Sequence, residues 1–398
     1  RVQRRIMREV NYLVGNSKFS LDPFEPFSKD VCNFLNNLSN ELNSVKNIKN
    51  YPDLKALSFW CRSKNILKLK NNFNSEKNRV GLGMIFHVTP ANIPTNFAYS
   101  LIFGLLTGNS NVVKVPSKNF EQINTISSVI KKILKKKNSF LKNKITIIQY
   151  KNNNEFTKKI SSLCNARVIW GGDQTINSLR DFKIKERAID ITFADRYSFC
   201  VMNPLKIERM SDFELKNLVQ RFYNDTYLVD QNACSSPHLI VWLGRKSKNF
   251  KERFWEKLYN LVKTKYKFTE SAPIEKYTDL CKYALSIGNI KSVETFENLI
   301  YKIKLKKIDK NNHDHKGKWG LFFEYDLKNL NEIKHIVNNK YQTLTYYGID
   351  KFLLKKFVLQ NNLKGIDRIV PVGQSLNIGL LWDGYDILNI LSRGIEVR

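Results

Sequence analysis

The sequence predicts an α/β fold in which a mainly parallel sheet is covered by helices. Between Gly81 and Met202, short apolar runs of strand type alternate with helical segments, and this alternation is typical of a parallel sheet. The chain has 398 residues, of which 42% are hydrophobic. This length exceeds what one hydrophobic core usually holds, so we expect two domains or more.

The first half of the chain supplies the alternating elements. Residues 1–79 are polar and mainly helical, with a turn at 50–53 before a helix over Leu54–Leu69. Strands are then predicted over Met84–Val88, Val112–Val115, Ile145–Tyr150, Arg167–Trp170, Ile189–Phe193 and Ser198–Met202. Helices are predicted over Asn96–Leu106, Glu121–Leu134, Glu155–Leu163 and Gln174–Asp181.

A second α/β region begins near residue 204. Its elements are predicted over Asp212–Tyr223 (helix), Leu239–Leu243 (strand), Phe250–Lys265 (helix), Leu330–Val337 (helix) and Gln342–Tyr347 (strand). The tail has a low charge density for this chain, and we expect it to pack back on the fold. We therefore divide the chain into residues 1–79, 80–203, 204–364 and 365–398.

The net charge of +30 raises the question of nucleic-acid binding. The excess comes mostly from lysines that are spread along the chain. Asn and Ile are also abundant, so coding bias explains this composition as readily as function does. The run Lys131–Lys137 lies on a predicted helix and is interpreted as its solvated face. We expect no nucleic-acid partner, only an attraction for anionic ligands such as phosphorylated cofactors.

Six cysteines show neither CxxC pairs nor a regular spacing, which favours free thiols in a reducing, cytoplasmic compartment. Residues 80–113 contain no charged side chain, but their prolines, asparagines and glycines indicate buried interior, so we expect no membrane span. We expect no metal site, because His313 and His315 lack a third ligand. The start at Arg1 without a methionine leaves open whether the native N-terminus lies upstream.

One cysteine stands in a turn of small polar residues, Asp230-Gln231-Asn232-Ala233-Cys234-Ser235-Ser236-Pro237, just before an apolar strand. A substrate can reach a cysteine on such a turn, and the cysteine's backbone N–H can help to form an oxyanion hole. The alternative is a small buried thiol with a packing role, the usual fate of a free cysteine. The turn alone specifies no reaction class.

Four blocks stand in a characteristic order within residues 83–237. They are Pro90–Pro94, Leu105–Asn109 with Val112–Ser117, Val168–Asp173 and Asp230–Pro237. This order resembles the aldehyde dehydrogenase superfamily. Within it, the chain from about residue 80 to its end is similar to the LuxC-type fatty-acyl reductases of bacterial luminescence operons and their relatives in non-luminous bacteria. The phrases that carry this likeness are His87–Phe97, Trp170–Asp173, Phe193–Arg196, Asp230–Pro237, Tyr341–Leu344, Asp367–Pro371 and Trp382–Tyr385.

The resemblance implies an aldehyde dehydrogenase-like fold. Residues 80–203 would form a Rossmann-like NADP(H)-binding domain and residues 204–364 the α/β catalytic domain. Cys234 would be the nucleophile, which attacks an acyl thioester as the thiolate. Asn92 matches the family's oxyanion-hole amide and, with the Cys234 N–H, would stabilise the tetrahedral oxyanion. The alternative for Asn92 is a cap of its own turn.

The resemblance also assigns the cofactor site. Pro90 opens the Pro-x-Asn-x-Pro turn at the end of the first cofactor-domain strand. Lys114 matches the position that holds the adenosine ribose, and its alternative is an ordinary surface lysine at a strand end. Trp170, Gly171 and Gly172 would form the turn beside the pyrophosphate.

Two departures from the family pattern concern the cofactor. Members that prefer NAD often have a glutamate at the position of Ser117, whereas this chain has Ser117 followed by Lys118. The absence of that carboxylate leaves room for a 2′-phosphate and favours NADPH. Asp173 stands where a serine is usual and places a carboxylate near the phosphates.

A third departure concerns the reaction. Thr192 occupies the position of the glutamate with which aldehyde-oxidising members activate water, and a threonine cannot act as a general base near neutral pH. An acyl–Cys234 thioester should therefore persist until it accepts hydride. We expect NADPH-dependent reduction of an acyl thioester, donated by CoA or by an acyl-protein, to an aldehyde.

Several matters stay open. An acyl-protein synthetase or acyltransferase is a candidate partner, and we expect a homo-oligomer. One rival function is a CoA-acylating aldehyde dehydrogenase that runs toward the thioester. The other is a basic binding module with an inactive enzyme fold. Among weaker candidates, His87 is interpreted as a satisfied core histidine, Asp195 and Arg196 as structural, and Glu324 with Gln342 as possible lining of the site.

Overall fold

The computed structural model describes residues 10–73, 78–135, 140–151, 153–244 and 248–398. Arg1 and the Lys136–Lys137 part of the lysine run lie outside these ranges. The chain divides into two compact units: a first unit up to Ala194 that also contains Tyr385–Arg398, and a second unit, Asp195–Gly384.

The described α-helices are α1 (Lys29–Asn43), α2 (Pro52–Trp60), α3 (Ser63–Asn72), α4 (Asn96–Leu106), α5 (Glu121–Lys135), α6 (Asn154–Leu163), α7 (Asp173–Arg180), α8 (Pro204–Glu208), α9 (Asp212–Thr226), α10 (Lys248–Lys265), α11 (Ala272–Ser286), α12 (Lys351–Gln360) and α13 (Ile387–Ile390). The strands are β1 (Asn11–Val14), β2 (Arg79–Gly81), β3 (Met84–Val88), β4 (Ser110–Val115), β5 (Ile145–Gln149), β6 (Ala166–Trp170), β7 (Ile189–Phe193), β8 (Tyr197–Met202), β9 (Pro237–Leu243), β10 (Ile290–Phe296), β11 (Ile300–Leu305), β12 (Leu321–Leu327), β13 (Tyr341–Tyr347), β14 (Arg368–Pro371), β15 (Leu381–Trp382), β16 (Tyr385–Asp386) and β17 (Ser392–Gly394). Short 3₁₀ helices cover Ile48–Asn50, Tyr227–Val229, Asn312–Asp314 and Leu330–Ile333.

The first unit contains a six-stranded sheet with the order β1-β5-β4-β3-β6-β7. Neighbouring strands are parallel except for β1, which runs antiparallel to β5. The predicted parallel sheet is therefore confirmed. The strand order reverses at β3, because β4 and β5 follow on one side of it and β6 and β7 on the other. In such sheets, ligands bind outside the carboxyl ends of the strands at the point of reversal.

Most of the stretch without charged residues is buried in this unit, as predicted. All five residues of β3 are buried, and α4 is buried along almost its whole length. A helix that is apolar around its circumference, as α4 is, belongs in a protein core or a membrane. Within the described residues, every helix is too short or insufficiently apolar to span a lipid bilayer.

His87 is a satisfied core histidine, which confirms its interpretation. Its Nδ1 lies 2.7 Å from Ser100 Oγ on α4, and its Nε2 lies 2.9 Å from Asn111 Oδ1 on β4. Trp170 Nε1 donates to the same Ser100 hydroxyl at 2.9 Å. Burial lowers the pKa of His87 to about 4, although the bond to Asn111 acts in the opposite direction. The neutral imidazole thus joins α4 to the strands around it.

The end of the chain completes the first unit. β17 pairs antiparallel with β2, with Ser392 opposite Gly81. The Arg79 guanidinium donates to Ser392 O at 2.6 Å, and Asn109 Nδ2 donates to Leu391 O at 2.8 Å. The last fourteen residues therefore belong to the same compact unit as the first sheet.

The second unit contains a seven-stranded sheet with the order β10-β11-β12-β9-β8-β13-β14. Only the pair β10 and β11 is antiparallel among these neighbours. Because successive side chains of a strand point to opposite faces, Phe322 and Phe323 of β12 enter two different apolar clusters. One cluster contains Leu239 and the other contains Trp255.

The strand predicted over Ser198–Met202 belongs to the second sheet, as β8, and not to the first series. The first unit accordingly ends at Ala194, before the predicted boundary at residues 203/204. The predicted C-terminal segment, 365–398, is also divided, because residues up to Gly384 stay with the second unit. Alternation of strands and helices does not reveal at which strand one sheet ends and the next begins.

Two predicted helices are shorter than expected. Leu54–Leu69 is interrupted between α2 and α3, because the backbone at Arg62 is extended and the Asn65 side-chain amide donates to Phe59 O at 2.7 Å. Leu330–Val337 contains only the 3₁₀ helix Leu330–Ile333, which begins with a capping box between Asn329 and Glu332.

We expect His87 to make the first unit acid-sensitive. Its pKa of about 4 lies below the ordinary 6.5, so the unfolded chain takes up the proton first as the pH falls. The contribution of neutral His87 to the free energy of unfolding is therefore fully present above pH 6.5. It decreases toward pH 4 by about 3 kcal/mol, at roughly 1.4 kcal/mol per pH unit. Hydrogen exchange of the β3 and β4 amides, measured over this pH range, should show the loss.

His87→Gln should flatten this pH dependence, and exchange in the exposed-histidine variant His335→Gln should follow the wild type. An unchanged slope in His87→Gln would assign the acid sensitivity to other groups.

Candidate functional site

The residues assigned to cofactor binding gather at one edge of the first sheet. Pro90 follows β3, Lys114 and Ser117 lie at the end of β4, and Gly171 follows β6. These three strands are neighbours and parallel, so their carboxyl ends meet at the same edge. This edge is the point of strand-order reversal, where α/β sheets bind their ligands.

Lys114 is half-buried, and its Nζ lies 5.0 Å from the centre of the Tyr150 ring. Burial lowers the pKa of its ammonium group. The Lys114 carbonyl accepts hydrogen bonds from the Thr89 backbone N–H at 3.2 Å and from the Thr89 hydroxyl at 2.9 Å. Lys114 is therefore held between β3 and β5 by its backbone and side chain, and is not an ordinary surface lysine.

Ser117 and Lys118 are exposed, and Lys118 Nζ lies 5.3 Å from the Phe120 ring. Both side chains are available to a ligand at the end of β4. Trp170, by contrast, is buried: its indole stacks on Phe193 with ring centres 3.8 Å apart. Because its side chain is already packed, Trp170 contributes to the carboxyl edge of the sheet only through the position of the turn that follows it.

That turn begins α7. Gly171 N donates to Phe193 O at 3.2 Å, and Gly172 is the N-cap residue of the helix. A Cβ atom on Gly172 would meet nothing within 4 Å, so the space beside it is open. The exposed Asp173 in the first turn is unfavourable for a phosphate there, as the sequence indicated.

An incompletely bonded polar atom also lies at this edge. Asn96 begins α4, just after the Pro90–Pro94 turn, and its Oδ1 is buried without a hydrogen-bond partner among the described residues. Buried polar atoms are normally bonded, and an orphan often marks a ligand position. Together with Lys114 and the open space at Gly172, it makes this edge compatible with a dinucleotide cofactor.

Asn92 is exposed in the same turn and belongs to the first unit, whereas Cys234 belongs to the second. The assignment of Asn92 to the oxyanion hole therefore stays a prediction. The exposure of its side chain is compatible with a contact to substrate.

Cys234 lies in a turn that α9 and the 3₁₀ helix Tyr227–Val229 introduce and that β9 ends. The backbone takes left-handed conformations at two consecutive residues, Asp230 (φ 53°) and Gln231 (φ 60°). Such conformations are unfavourable for residues other than glycine and persist where the surroundings hold them. The Cys234 residue itself is half-buried.

The Gln231 side chain holds this turn in place. It is buried, and its Nε2 donates to Pro237 O at 3.0 Å and to Leu321 O at 3.1 Å. Its Oε1 accepts from the Gly320 backbone N–H at 3.1 Å. One amide therefore connects the turn to the first residues of β9 and β12.

Further bonds fix the ends of the turn. The Ser198 hydroxyl of β8 donates to Cys234 O at 2.6 Å, and the Ser236 hydroxyl donates to Asp225 O at 2.7 Å. The buried Asp225 carboxylate accepts backbone N–H groups of Gly373 at 2.6 Å and Ser375 at 2.9 Å. Burial raises the pKa of Asp225 to about 6.

The charges around the thiol come from segments that precede strands of the second sheet. Asp195 and Arg196 precede β8, Lys316 precedes β12 and Asp367 precedes β14. Lys316 Nζ lies 2.5 Å from Asp195 Oδ1. The Arg196 guanidinium pairs with the carboxylates of Asp367 and, at 3.7 Å, Asp383. Because parallel neighbours share an amino edge, these segments meet around Cys234.

The environment of the thiol contains opposing influences. Burial raises the pKa of Cys234 above its usual range, while a hydrogen bond from the Arg196 backbone N–H and the charge of Lys316 lower it. The carboxylates of Asp195 and Asp383 act in the same direction as burial. The pKa of Asp383 is itself raised to about 6 by burial, and its carboxylate accepts a hydrogen bond from Gln342.

Sequence reasoning missed the roles of Gln231 and Lys316. A glutamine in a turn rich in small residues, and a lysine before an apolar strand, were the available signals. Glu324 was suggested to line the site. Its Oε1 instead accepts hydrogen bonds from the indoles of Trp242 at 2.7 Å and Trp255 at 2.8 Å. In the described part of the chain, no three His, Cys, Asp or Glu side chains are grouped so as to hold a metal ion.

We expect Gln231→Leu to destabilise the second unit. The leucine would leave the carbonyls of Pro237 and Leu321 and the N–H of Gly320 without their buried partner, at a cost of at least about 2 kcal/mol in the free energy of unfolding. Urea denaturation followed by circular dichroism measures the change. The matched variant Gln360→Leu, at an exposed position of α12, should stay within about 0.5 kcal/mol of wild type. Similar stabilities for the two variants would contradict the proposed role of Gln231.

Several solved structures that superpose on this chain are aldehyde dehydrogenases. Lactaldehyde dehydrogenase from Escherichia coli superposes with a TM-score of 0.63 and 10% sequence identity, over 92% of this chain and 85% of that one. Betaine aldehyde dehydrogenase from Staphylococcus aureus, in complex with NAD⁺, gives a TM-score of 0.58 and 12% identity over 86% and 76% of the two chains. At these identities the likeness concerns the fold, and it confirms the predicted aldehyde dehydrogenase-like class.

Sequence comparison identifies relatives within that class. The long-chain acyl-protein thioester reductase of Photorhabdus luminescens is 23% identical over 320 residues, which cover 78% of this chain and 62% of the relative. The chain thus spans less than two thirds of the curated relatives that it matches. The family profile described as acyl-CoA reductase (LuxC) matches residues 63–394. The match includes the cofactor edge of the first unit and the Cys234 turn of the second, and the chain belongs to the LuxC family of acyl-CoA reductases.

Proposed function

We propose that this chain reduces an acyl thioester to an aldehyde through an acyl intermediate on Cys234. The observation that supports this most directly is the construction of the Cys234 turn. Two left-handed residues and a buried amide hold a half-buried thiol at a strand entrance, beside a backbone N–H donor and a cation. A cysteine with only a packing role would not require this arrangement.

The Cys234 thiolate attacks the thioester carbonyl, the new C–S bond forms, and the donor thiolate leaves and takes up a proton. Hydride addition to the acyl–Cys234 carbonyl gives a thiohemiacetal, whose collapse releases the aldehyde and returns the thiolate. The acyl carbon is reduced by two electrons. During both additions the carbonyl oxygen becomes negative. The Cys234 N–H would stabilise it, and the family resemblance makes Asn92 the proposed second donor.

A bound nicotinamide cofactor supplies the hydride. Lys114 would hold its adenosine ribose, and the turn Trp170–Gly172, with Pro90 on the neighbouring strand end, would lie beside its pyrophosphate. Support for this placement comes from the location of these residues at the carboxyl edge of a reversed-order sheet, the usual position of dinucleotides. NADPH is the proposed form, because Ser117 and Lys118 are exposed where a carboxylate would repel its 2′-phosphate.

Thr192 favours reduction over hydrolysis. It lies on β7 opposite Ile169, where aldehyde-oxidising members of the superfamily carry a glutamate that activates water. Its hydroxyl cannot take a proton from water near neutral pH. The acyl–Cys234 thioester would then persist until hydride reaches it.

The donor is CoA or an acyl-protein, and a name among the relatives, long-chain acyl-protein thioester reductase, favours the latter with a long acyl chain. A protein that loads or transfers the acyl group is then a partner. A CoA-acylating aldehyde dehydrogenase would use the same residues in the opposite direction, so relative rates in the two directions distinguish them. A basic binding module would show tight DNA association that falls steeply with salt.

Cys234→Ala should abolish acyl-enzyme formation. The enzyme is incubated with radiolabelled long-chain acyl-CoA without cofactor, denatured, and the protein-bound label counted. The wild type and Cys281→Ala, in which another free cysteine is removed, should retain the label. Label on the Cys234→Ala protein equal to that of wild type would exclude this cysteine as the nucleophile.

Ser117→Glu should shift cofactor preference toward NADH. A carboxylate beside the 2′-phosphate position would repel NADPH and bond the ribose hydroxyls of NADH, so the ratio of kcat/KM for NADPH over NADH should fall by about tenfold or more. Ser117→Gln, of the same length without the charge, should change the ratio much less. A wild-type enzyme that prefers NADH would refute the assignment.

A further inference from the structure

An ion pair crosses the amino edge of the second sheet beside Cys234, and the reaction proposed above gives it no role. Lys316 Nζ lies 2.5 Å from Asp195 Oδ1, with the two side chains 29% and 57% exposed. A pair this exposed contributes little to stability. The location of the pair, and not its contribution to stability, therefore bears on function.

The backbone of Lys316 is held rigidly. Its N–H donates to the Tyr283 hydroxyl at 3.0 Å, and the same hydroxyl donates to the Lys316 carbonyl at 2.7 Å. The next residue, Gly317, is buried so closely against β12 that a Cβ atom would lie 1.7 Å from Leu321 O. His238 Nδ1 lies 3.1 Å from Gly317 O, and only a protonated Nδ1 can donate to it. The ammonium group thus extends from a fixed point.

Sheet topology places the backbone of Lys316 near the Cys234 thiol. β9 lies between β12 and β8, and both pairings are parallel. Lys316 precedes β12, Cys234 precedes β9 and Asp195 precedes β8. The ion pair between Lys316 and Asp195 therefore joins the segments that precede the strands on either side of β9. It crosses the amino end of β9, which the Cys234 turn precedes.

We propose that Lys316 is a positioning residue for the nucleophile: its ammonium group, held by Asp195, stabilises the thiolate of Cys234. The proposal rests on the proposed function in so far as Cys234 is the nucleophile. Asp195 has two opposed effects, since it orients the ammonium group and also partly neutralises its charge. The charge of Lys316 thereby offsets part of the effect of burial, which alone would favour the neutral form of the thiol.

The other charged groups around the thiol agree with this role. The positive charge of Lys316 lowers the pKa of Cys234, whereas the carboxylates of Asp195 and Asp383 raise it. The Arg196 guanidinium is engaged with Asp367 and Asp383, and contributes its backbone N–H to the sulfur. Burial lowers the pKa of His238 to about 3, so the imidazole on β9 is neutral and adds no cationic charge.

The test is the pH dependence of Cys234 alkylation by iodoacetamide, in which sulfur bonds to carbon and iodide leaves. Peptide mass spectrometry separates the Cys234 product from that of the exposed Cys281, which serves as an internal reference. In Lys316→Met, the Cys234 midpoint should move to higher pH, and the rate at pH 7 should fall by about three- to tenfold. The Cys281 profile should not change.

Three variants provide the comparison. Lys316→Arg should restore the wild-type midpoint, and Lys318→Met, which removes an exposed lysine nearby, should leave it unchanged. Asp195→Asn should move it to lower pH. An unchanged midpoint in Lys316→Met, or an equal shift in Lys318→Met, would overturn the proposal. Acyl labelling of Cys234 is read separately, so failure of the labelling would refute the proposed reaction without altering the alkylation result.

Discussion

The buried amide of Gln231 is the contact on which the geometry of the Cys234 turn depends. Its three hydrogen bonds reach the first residues of β9 and β12 and the glycine before β12. Two consecutive left-handed residues would not persist in an isolated peptide. They persist here because the sheet is already assembled around the amide, so the position of the sulfur follows from strand pairing and only secondarily from the local sequence.

The two units use opposite edges of their sheets. In the first, the carboxyl ends of β3, β4 and β6 offer a helix N-terminus and free space, which suit an anionic dinucleotide except for the carboxylate of Asp173 in the first turn of that helix. In the second, the segments around Cys234 precede strands, and the turn follows the carboxyl end of α9, where the helix dipole is negative. A thiolate at Cys234 would have no help from such a helix end, which fits the proposed contribution of a backbone N–H and a lysine from other segments.

Much of the first unit could be predicted because its elements are local. Periodicity identified β3 to β7 and the helices between them, and the resemblance identified the Cys234 turn before any geometry was known. Sheet membership was not local information: β8 looks like a sixth strand of the series until its pairing with β9 and β13 is seen. The break between α2 and α3 depends on one asparagine side chain that competes for a carbonyl.

The site was predictable in part for the same reason. Lys114, Gly171 and Cys234 lie within contiguous phrases, and each is where the sequence placed it along its strand or turn. Lys316 and Asp195 are far apart in the chain and meet only because β12, β9 and β8 are adjacent. No spacing rule connects them. Gln231 lies within the Cys234 turn that the resemblance identified. Its role becomes apparent only in the folded chain, where the long, buried side chain reaches Leu321 and Gly320.

The discontinuity of the first unit affects how the protein is made. The strands of its six-stranded sheet are complete by Ala194, yet β17, which pairs with β2, follows the whole second unit in the chain. The whole of Asp195–Gly384 emerges in between and can fold while the first unit still lacks its closing strand. Since domains generally fold as units during synthesis, the contacts of Arg79 and Asn109 with Ser392 and Leu391 form only after the second unit has been synthesised, and β2 lacks its partner strand until then.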